Sequence, residues 1–246
     1  MTLASAPGQW PTNKRDVEKL LDEHFNISGS TKELKINEDL TVEVHGGGVA
    51  LNDAARRRLT RLPVRFRYVS GDFLAGFSNL NTLDGFPSTV GQHCSITDSE
   101  VASLEHAPTK VGSFDASHTK ITSLTGGPKY VEKVDEQKAS YDVSYTPITT
   151  LHDIPKVIPG KLNLMGCSGL TSLRGLPLKI GTLVFDWNQD LKLLGIFLSH
   201  IDKIEVRSAR KQIQDLVVKY QNGGRQAAVA ATTDLIKAGF HGNAHL

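Results

Sequence analysis

In one stretch of this chain a proline follows a leucine by four residues, five times over. Leu83 to Pro87 reads LDGFP, Leu104 to Pro108 LEHAP, Leu124 to Pro128 LTGGP, Leu151 to Pro155 LHDIP, and Leu173 to Pro177 LRGLP. The prolines stand 21, 20, 27 and 22 residues apart. Three residues before each leucine lies another aliphatic: Leu80, Val101, Ile121, Ile148 and Leu170. Ser or Thr directly precedes every one of the five leucines. A unit of about 21 residues cannot bury an apolar face alone, so neighbouring units must stack and share a core. A sixth copy keeps the aliphatic pair, Leu191 and Leu194, without the closing proline. A last unit is expected to depart from the pattern, because its outer side meets no further repeat.

Each unit opens with a short alternating segment, which predicts a strand with one residue inward and the next outward. The inward set is Phe73 and Ala75, Cys94 and Ile96, Phe114 and Ala116, Tyr141 and Val143, Leu162 and Leu164, Leu183 and Phe185. Stacking these segments predicts a parallel ladder with strands ~4.8 Å apart. The proline fixes φ and withholds a donor where the chain leaves the ladder, and the glycine two residues earlier in three copies suits a tight turn. The fourth unit is longer, and the charged segment from Lys129 to Lys138 is expected to loop out.

The flanks differ from the array. A helix is predicted from Thr12 or Asn13 as N-cap to about Phe25. Lys32–Asn37 and Leu40–Val44 read as a hairpin, and Val49 to Leu51 as the start of a third strand. After Asp202 the pattern turns helical, with Ile213, Leu216, Val217 and Tyr220 on one face, then Ala228, Ala231, Leu235 and Ile236 in a second helix ended by Gly239. The expected organisation is an N-terminal cap over 1–61, an array over 62–200 and a helical cap over 201–246. The fold class is an α/β repeat: a leucine-rich-repeat-like solenoid of short parallel strands, with a helix plus β-hairpin at one end and a helical hairpin at the other.

Composition excludes little. A net charge of +2 makes no electrostatic case for nucleic acid. Two unpaired cysteines, Cys94 and Cys167, argue against a disulfide framework. With no apolar run long enough for a membrane span and no signal-like segment at Met1 to Asp16, a cytoplasmic protein is expected.

The run LTSLRGLP, together with VSGDF and SFDASHTKITSLTGGP, resembles the leucine-rich repeats of bacteriophage-encoded proteins, in which units close to G-x-F-x-C/A-S … L-T-S-L-x-G-x-P recur. LPVRFRYVSGDF is similar to the opening of their arrays, and the end, LIKAGFHGNAHL, to their helical close. The chain departs from that pattern in its fourth unit and at Gln92-His93. The resemblance implies a phage origin and an accessory role against the host cell, and it transfers no catalytic residue.

Motifs that carry chemistry are sparse. His45-Gly46-Gly47-Gly48 is similar to an esterase oxyanion loop, but no G-x-S-x-G accompanies it and a glycine turn after a strand is the expected reading. Cys167 reads as a small core residue of a repeat turn. His241 and His245 have helical chelating spacing but follow Gly239, so a frayed end is expected. Asp115 and Asp142 fall at equivalent outward positions and read as solvated or partner-facing carboxylates. Basic residues gather at Arg56, Arg57, Arg58, Arg61, Arg65 and Arg67, and again at Arg207, Arg210 and Lys211, which keeps nucleic-acid binding open as an alternative to a protein partner. No cofactor or metal is expected.

Repeats present one outward side chain per unit in a row, so the ladder's outer side is the expected binding face. One row is Leu74, Ser95, Asp115, Asp142, Asn163 and Val184; the next holds Asp72, His93, Ser113, Ser140, Lys161 and Thr182. Trp187, just after the last strand, reads either as an exposed anchor or as packing under the helical end. The expected function is binding of a host protein by a non-enzymatic module, inhibiting or redirecting it, with a virion structural component as a further alternative that the phage resemblance implies and with pairing of copies through an open ladder edge left open.

Overall fold

A computed structural model describes residues 9–29, 33–132 and 139–245 of the chain. Helix α1 (Lys14–His24) starts at Asn13, whose side chain accepts from the Asp16 amide at 2.9 Å, and it buries Val17 and Leu21. The chain then runs through β1 (Phe25–Ile27), β2 (Leu34–Ile36), β3 (Val42–Val44) and β4 (Val49–Leu51) into the short helix α2 (Asp53–Arg58). β2 and β3 pair antiparallel, as the hairpin reading expects, and β4 pairs antiparallel with β1.

From there the fold is a β-solenoid. Its strands are β5 (Phe66–Val69), β6 (Phe73–Leu74), β7 (Thr89–Ser95), β8 (Lys110–Asp115), β9 (Tyr130–Val131), β10 (Tyr141–Asp142), β11 (Val157–Leu164), β12 (Lys179–Asp186) and β13 (His200–Arg207). Successive turns of the solenoid pair in parallel, and the described strands form a single 13-stranded sheet. Two turns carry two strand pieces, β5 with β6 and β9 with β10, and the others one longer strand; the break, or the register shift in the β7–β8 and β11–β12 pairings, marks a corner. A glycine stands at that corner in several turns because the backbones of adjacent turns touch there: a Cβ on Gly112 would lie 2.6 Å from the Gln92 carbonyl. The extra residues of the fourth unit enter between β9 and β10, at this corner. Residues 133–138 of the expected loop lie outside the described residues.

The inward set is buried throughout, with none of its members more than 2% exposed. The leucine spine is as dry: Leu83, Leu104, Leu124, Leu151 and Leu173 are at most 1% exposed. Burying one such leucine stabilises the fold by roughly 2 kcal/mol. The turn that follows each spine leucine has a physical basis for every recurring residue. The residue two before the proline has positive φ in all five units: Gly85, His106, Gly126, Asp153 and Gly175. In the first four, the amide three residues on donates back to the leucine carbonyl at 2.9–3.3 Å, which closes a turn with a left-handed third residue. In four of the five units the Ser or Thr before the leucine caps the same turn. Thr82, Ser103, Ser123 and Ser172 Oγ accept from the amides of Asp84, Glu105, Thr125 and Arg174 at 3.1–3.2 Å.

The C-terminal end differs from the sequence reading in three respects. Strand β13 continues the ladder to Arg207, so the helical pattern does not begin after Asp202. Ile201 and Val206 there take up the register of Ile180 and Phe185. Helices α3 (Lys211–Tyr220) and α4 (Gly224–Lys237) follow, burying Ile213, Val217, Ala228, Ala231 and Leu235, whereas Ile236 points out at 45% exposure. The segment 240–244 is docked, not frayed. Asn243 is fully buried and its Nδ2 donates to the carbonyls of Asn188 (3.0 Å) and Leu191 (2.7 Å), while Phe240 and Ala244 pack inward. This docking replaces the missing proline turn: Leu191 and Leu194 are buried, and a 3-10 segment (Leu194–Leu198) lies beneath α4.

Candidate interaction surface

The register places the expected outer row in one line. Leu74 pairs with Ser95, Ser95 with Asp115, Asp115 with Asp142, Asp142 with Asn163 and Asn163 with Val184. The line extends to Ala50 at one end and Glu205 at the other. In the neighbouring row, His93 pairs with Ser113 and Lys161 with Thr182, and Asp72 Oδ1 accepts from the His93 amide at 3.0 Å.

This row is less available than the alternation suggests. Ser95, Asn163 and Val184 are buried, and Leu74, Asp115, Asp142, Asp72 and His93 are half-buried; Lys161 alone of the candidate set on the strands is exposed. The cause is local hydrogen bonding. Asp115 Oδ1 accepts from the amide (2.9 Å) and the hydroxyl (2.6 Å) of Ser117, and Asp142 Oδ1 does the same for Ser144. Asp142 Oδ2 accepts from Asn163 Nδ2 at 2.8 Å, and Asn163 Oδ1 takes the Met165 amide at 3.3 Å. These polar residues bend the chain at the end of the strand, two residues further on, the Asx-turn geometry that Asp and Asn favour. Trp187 lies against Phe240, ring centroids 6.1 Å apart at 88°, and its Nε1 is buried without a partner. It packs under the helical end and is not an exposed anchor.

The bend these residues make leads to a second column, which the sequence reading missed. Directly after the bend the backbone enters the left-handed region at Phe77 (φ 53°), Asp98 (φ 52°), His118 (φ 55°), Tyr145 (φ 57°) and Gly166 (φ 70°). Their amides carry the ladder on: Phe77 donates to Thr97, Asp98 to Ser117, His118 to Ser144 and Tyr145 to Met165, at 2.7–3.0 Å. The next residue is a buried hydroxyl, Ser78, Ser99, Thr119 or Thr146, whose Oγ donates to the carbonyl three residues back at 2.6–2.7 Å. Cys167 holds this place in the fifth unit and donates to Val143 O at 3.2 Å. Its burial, like that of Cys94, raises its pKa, so neither thiol is poised as a nucleophile. All four non-glycine members of the left-handed column are exposed, Phe77 by 66% and Tyr145 by 48%. His118 and Tyr145 stack at 4.5 Å and 15°. Side chains in this backbone region cost on the order of 1 kcal/mol each. The signal in the sequence is Gly166, the one glycine in register with three aromatic rings.

The remaining candidates have local roles. Gly46 to Gly48 flank an open cleft of about 750 Å³, also lined by Ser28, Ser70 and Asp72. The amides an oxyanion hole needs are engaged there: Gly48 N–H donates to Ser28 Oγ (2.7 Å) and Gly47 N–H to Ser70 Oγ (3.2 Å). Four arginines of the first cluster are turned onto the chain itself. Arg56 donates to the carbonyls of Leu51 and Gly76, Arg61 and Arg65 lie over the Trp10 ring, and Arg67 lies 3.9 Å from Glu43. Among the described residues no group of three or more His, Cys, Asp or Glu is placed to hold a metal ion, and no helix is long and apolar enough to cross a membrane. Neither a family model, nor a curated protein, nor a solved structure matches this chain.

Proposed function

We propose that this chain is a leucine-rich-repeat binding module of the bacteriophage kind, which acts without catalysis by docking on a protein in the host cytoplasm and inhibiting or redirecting it. One observation carries the reading: the parallel register sets equivalent side chains of successive units into straight columns on the outer side of the sheet. Such columns suit a partner with an extended or flat surface. The repeat units that resemble phage proteins, LTSLRGLP and its companions, supply the class of partner. In this reading α1 with the β2–β3 hairpin closes one end of the array, and α3 and α4 close the other against pairing of open edges.

The test is affinity purification from bacterial lysate with the tagged chain as bait. Stoichiometric recovery of one host protein, retained at high salt, is the expected result. Recovery of nucleic acid with steep salt dependence, or of nothing above background, contradicts it.

A further inference from the structure

We infer that the left-handed column of Phe77, Asp98, His118 and Tyr145 is the contact surface for a cationic, arginine-bearing segment of a partner protein; this rests on reading the chain as a protein-binding module.

Three observations converge. The first is conformational. Phe77, His118 and Tyr145 occupy a backbone region that disfavours bulky side chains, although Gly166 shows that the fold accepts glycine in register with them. Phe77 gains little packing in return, since it is 66% exposed. Strain kept at exposed rings points to a use outside the fold.

The second is charge. In the first four units, the two strand rows and the positions two and three residues after the outer one hold sixteen residues, from Asp72 to Tyr145. Among these stand Asp72, Asp98, Asp115 and Asp142 and no Lys or Arg, in a chain whose net charge is +2. Two cations beside the column are already engaged: Arg56 donates to backbone carbonyls, that of Gly76 next to Phe77 among them, and Lys120, two residues past His118, pairs with Glu100; Lys161 follows Ser140 only in the fifth unit. The Asp98 carboxylate enters no hydrogen bond or ion pair among the described residues, and it stands between Phe77 and His118 in the column.

The third is geometry. Adjacent column positions are ~4.8 Å apart, the spacing of paired strands. A guanidinium set on Asp98 therefore reaches a ring on either side. Arg meets this arrangement better than Lys, because its plane stacks on rings while its N–H groups pair with a carboxylate. A single-stranded nucleic acid would also stack on the rings, but its phosphates would meet four carboxylates.

Fluorescence anisotropy with a labelled arginine-bearing decapeptide tests this on the full chain. The comparison probes are an equal-length glutamate-bearing peptide and an oligothymidine. Asp98→Asn and Phe77→Gly are the variants, with Val229→Ser on α4 as a distant control and thermal melts to verify folding. The arginine peptide is expected to bind, each column variant to weaken it about tenfold, and the control to leave it unchanged. Phe77→Gly relieves backbone strain, so loss of binding in a protein that melts no lower isolates the surface from the fold. Absent binding, equal binding by the column variants, or preference for the glutamate peptide or the oligothymidine overturns the assignment. A host protein captured equally well by both column variants removes the column but leaves the module standing. Variant-sensitive peptide binding without any host partner does the reverse.

Discussion

The inward leucine spine and the outward left-handed column are built at the same period from the same turns, yet they follow opposite rules. Spine positions hold leucine in all five units and are dry. Column positions hold Phe, Asp, His, Tyr and Gly in succession and share only a backbone conformation. Stability is therefore concentrated in the first set, and chemical individuality in the second.

Substitutions should separate the two most clearly at equal depth in the array. Leu104→Ala, at a fully buried position, is expected to cost about 3 kcal/mol, read as a fall in denaturant midpoint. Next come the turn glycines, whose cost should split. Gly85→Ala places a Cβ 2.8 Å from the Val64 carbonyl at φ 91°, whereas on Gly175, at φ 92°, nothing lies nearer than 3.6 Å. The expected losses are about 2 and about 1 kcal/mol, the difference being the clash alone. Asp142→Ala removes the acceptor for the Ser144 amide and hydroxyl and for Asn163, and should cost about 1 kcal/mol in the same assay. Phe77→Gly inverts the sign: thermal melting is expected to rise, by the equivalent of about 0.5 kcal/mol. A fall as large as that of Leu104→Ala would erase the distinction between spine and column.

The smallest effect is on pH dependence at the N-terminal end. Burial lowers the pKa of His24 below the ordinary imidazole value. The unfolded chain then binds the proton more readily, so stability is complete above the ordinary value of about 6.5 and declines as pH falls through it. His24→Gln should flatten that part of the profile. The further decline at lower pH should remain, because hydrogen bonds hold the Asp153 and Glu43 carboxyls below their usual range and that contribution is lost as these groups protonate.

The sequence made the spine, the inward set and the proline turns legible because apolar identity and offset alone determine them. The outer row was legible as a line but not as a half-buried one. Nothing in the period distinguishes an aspartate that faces solvent from one that ties down Ser117 or Ser144. The left-handed column left Gly166 as its single compositional trace, since its other four residues are not glycine and conformation there is imposed by ladder hydrogen bonds. Strand β13 was hidden by its charges, and the docking of Asn243 by a tail whose glycines read as loose.

The stacking of equivalent turns on one continuous spine is best tested by methyl-labelled NMR of the leucines. Nuclear Overhauser contacts are predicted between consecutive members of the series Leu83, Leu104, Leu124, Leu151 and Leu173, with none between members two steps apart. Leucines of this series in mutually unconnected surroundings would contradict the account.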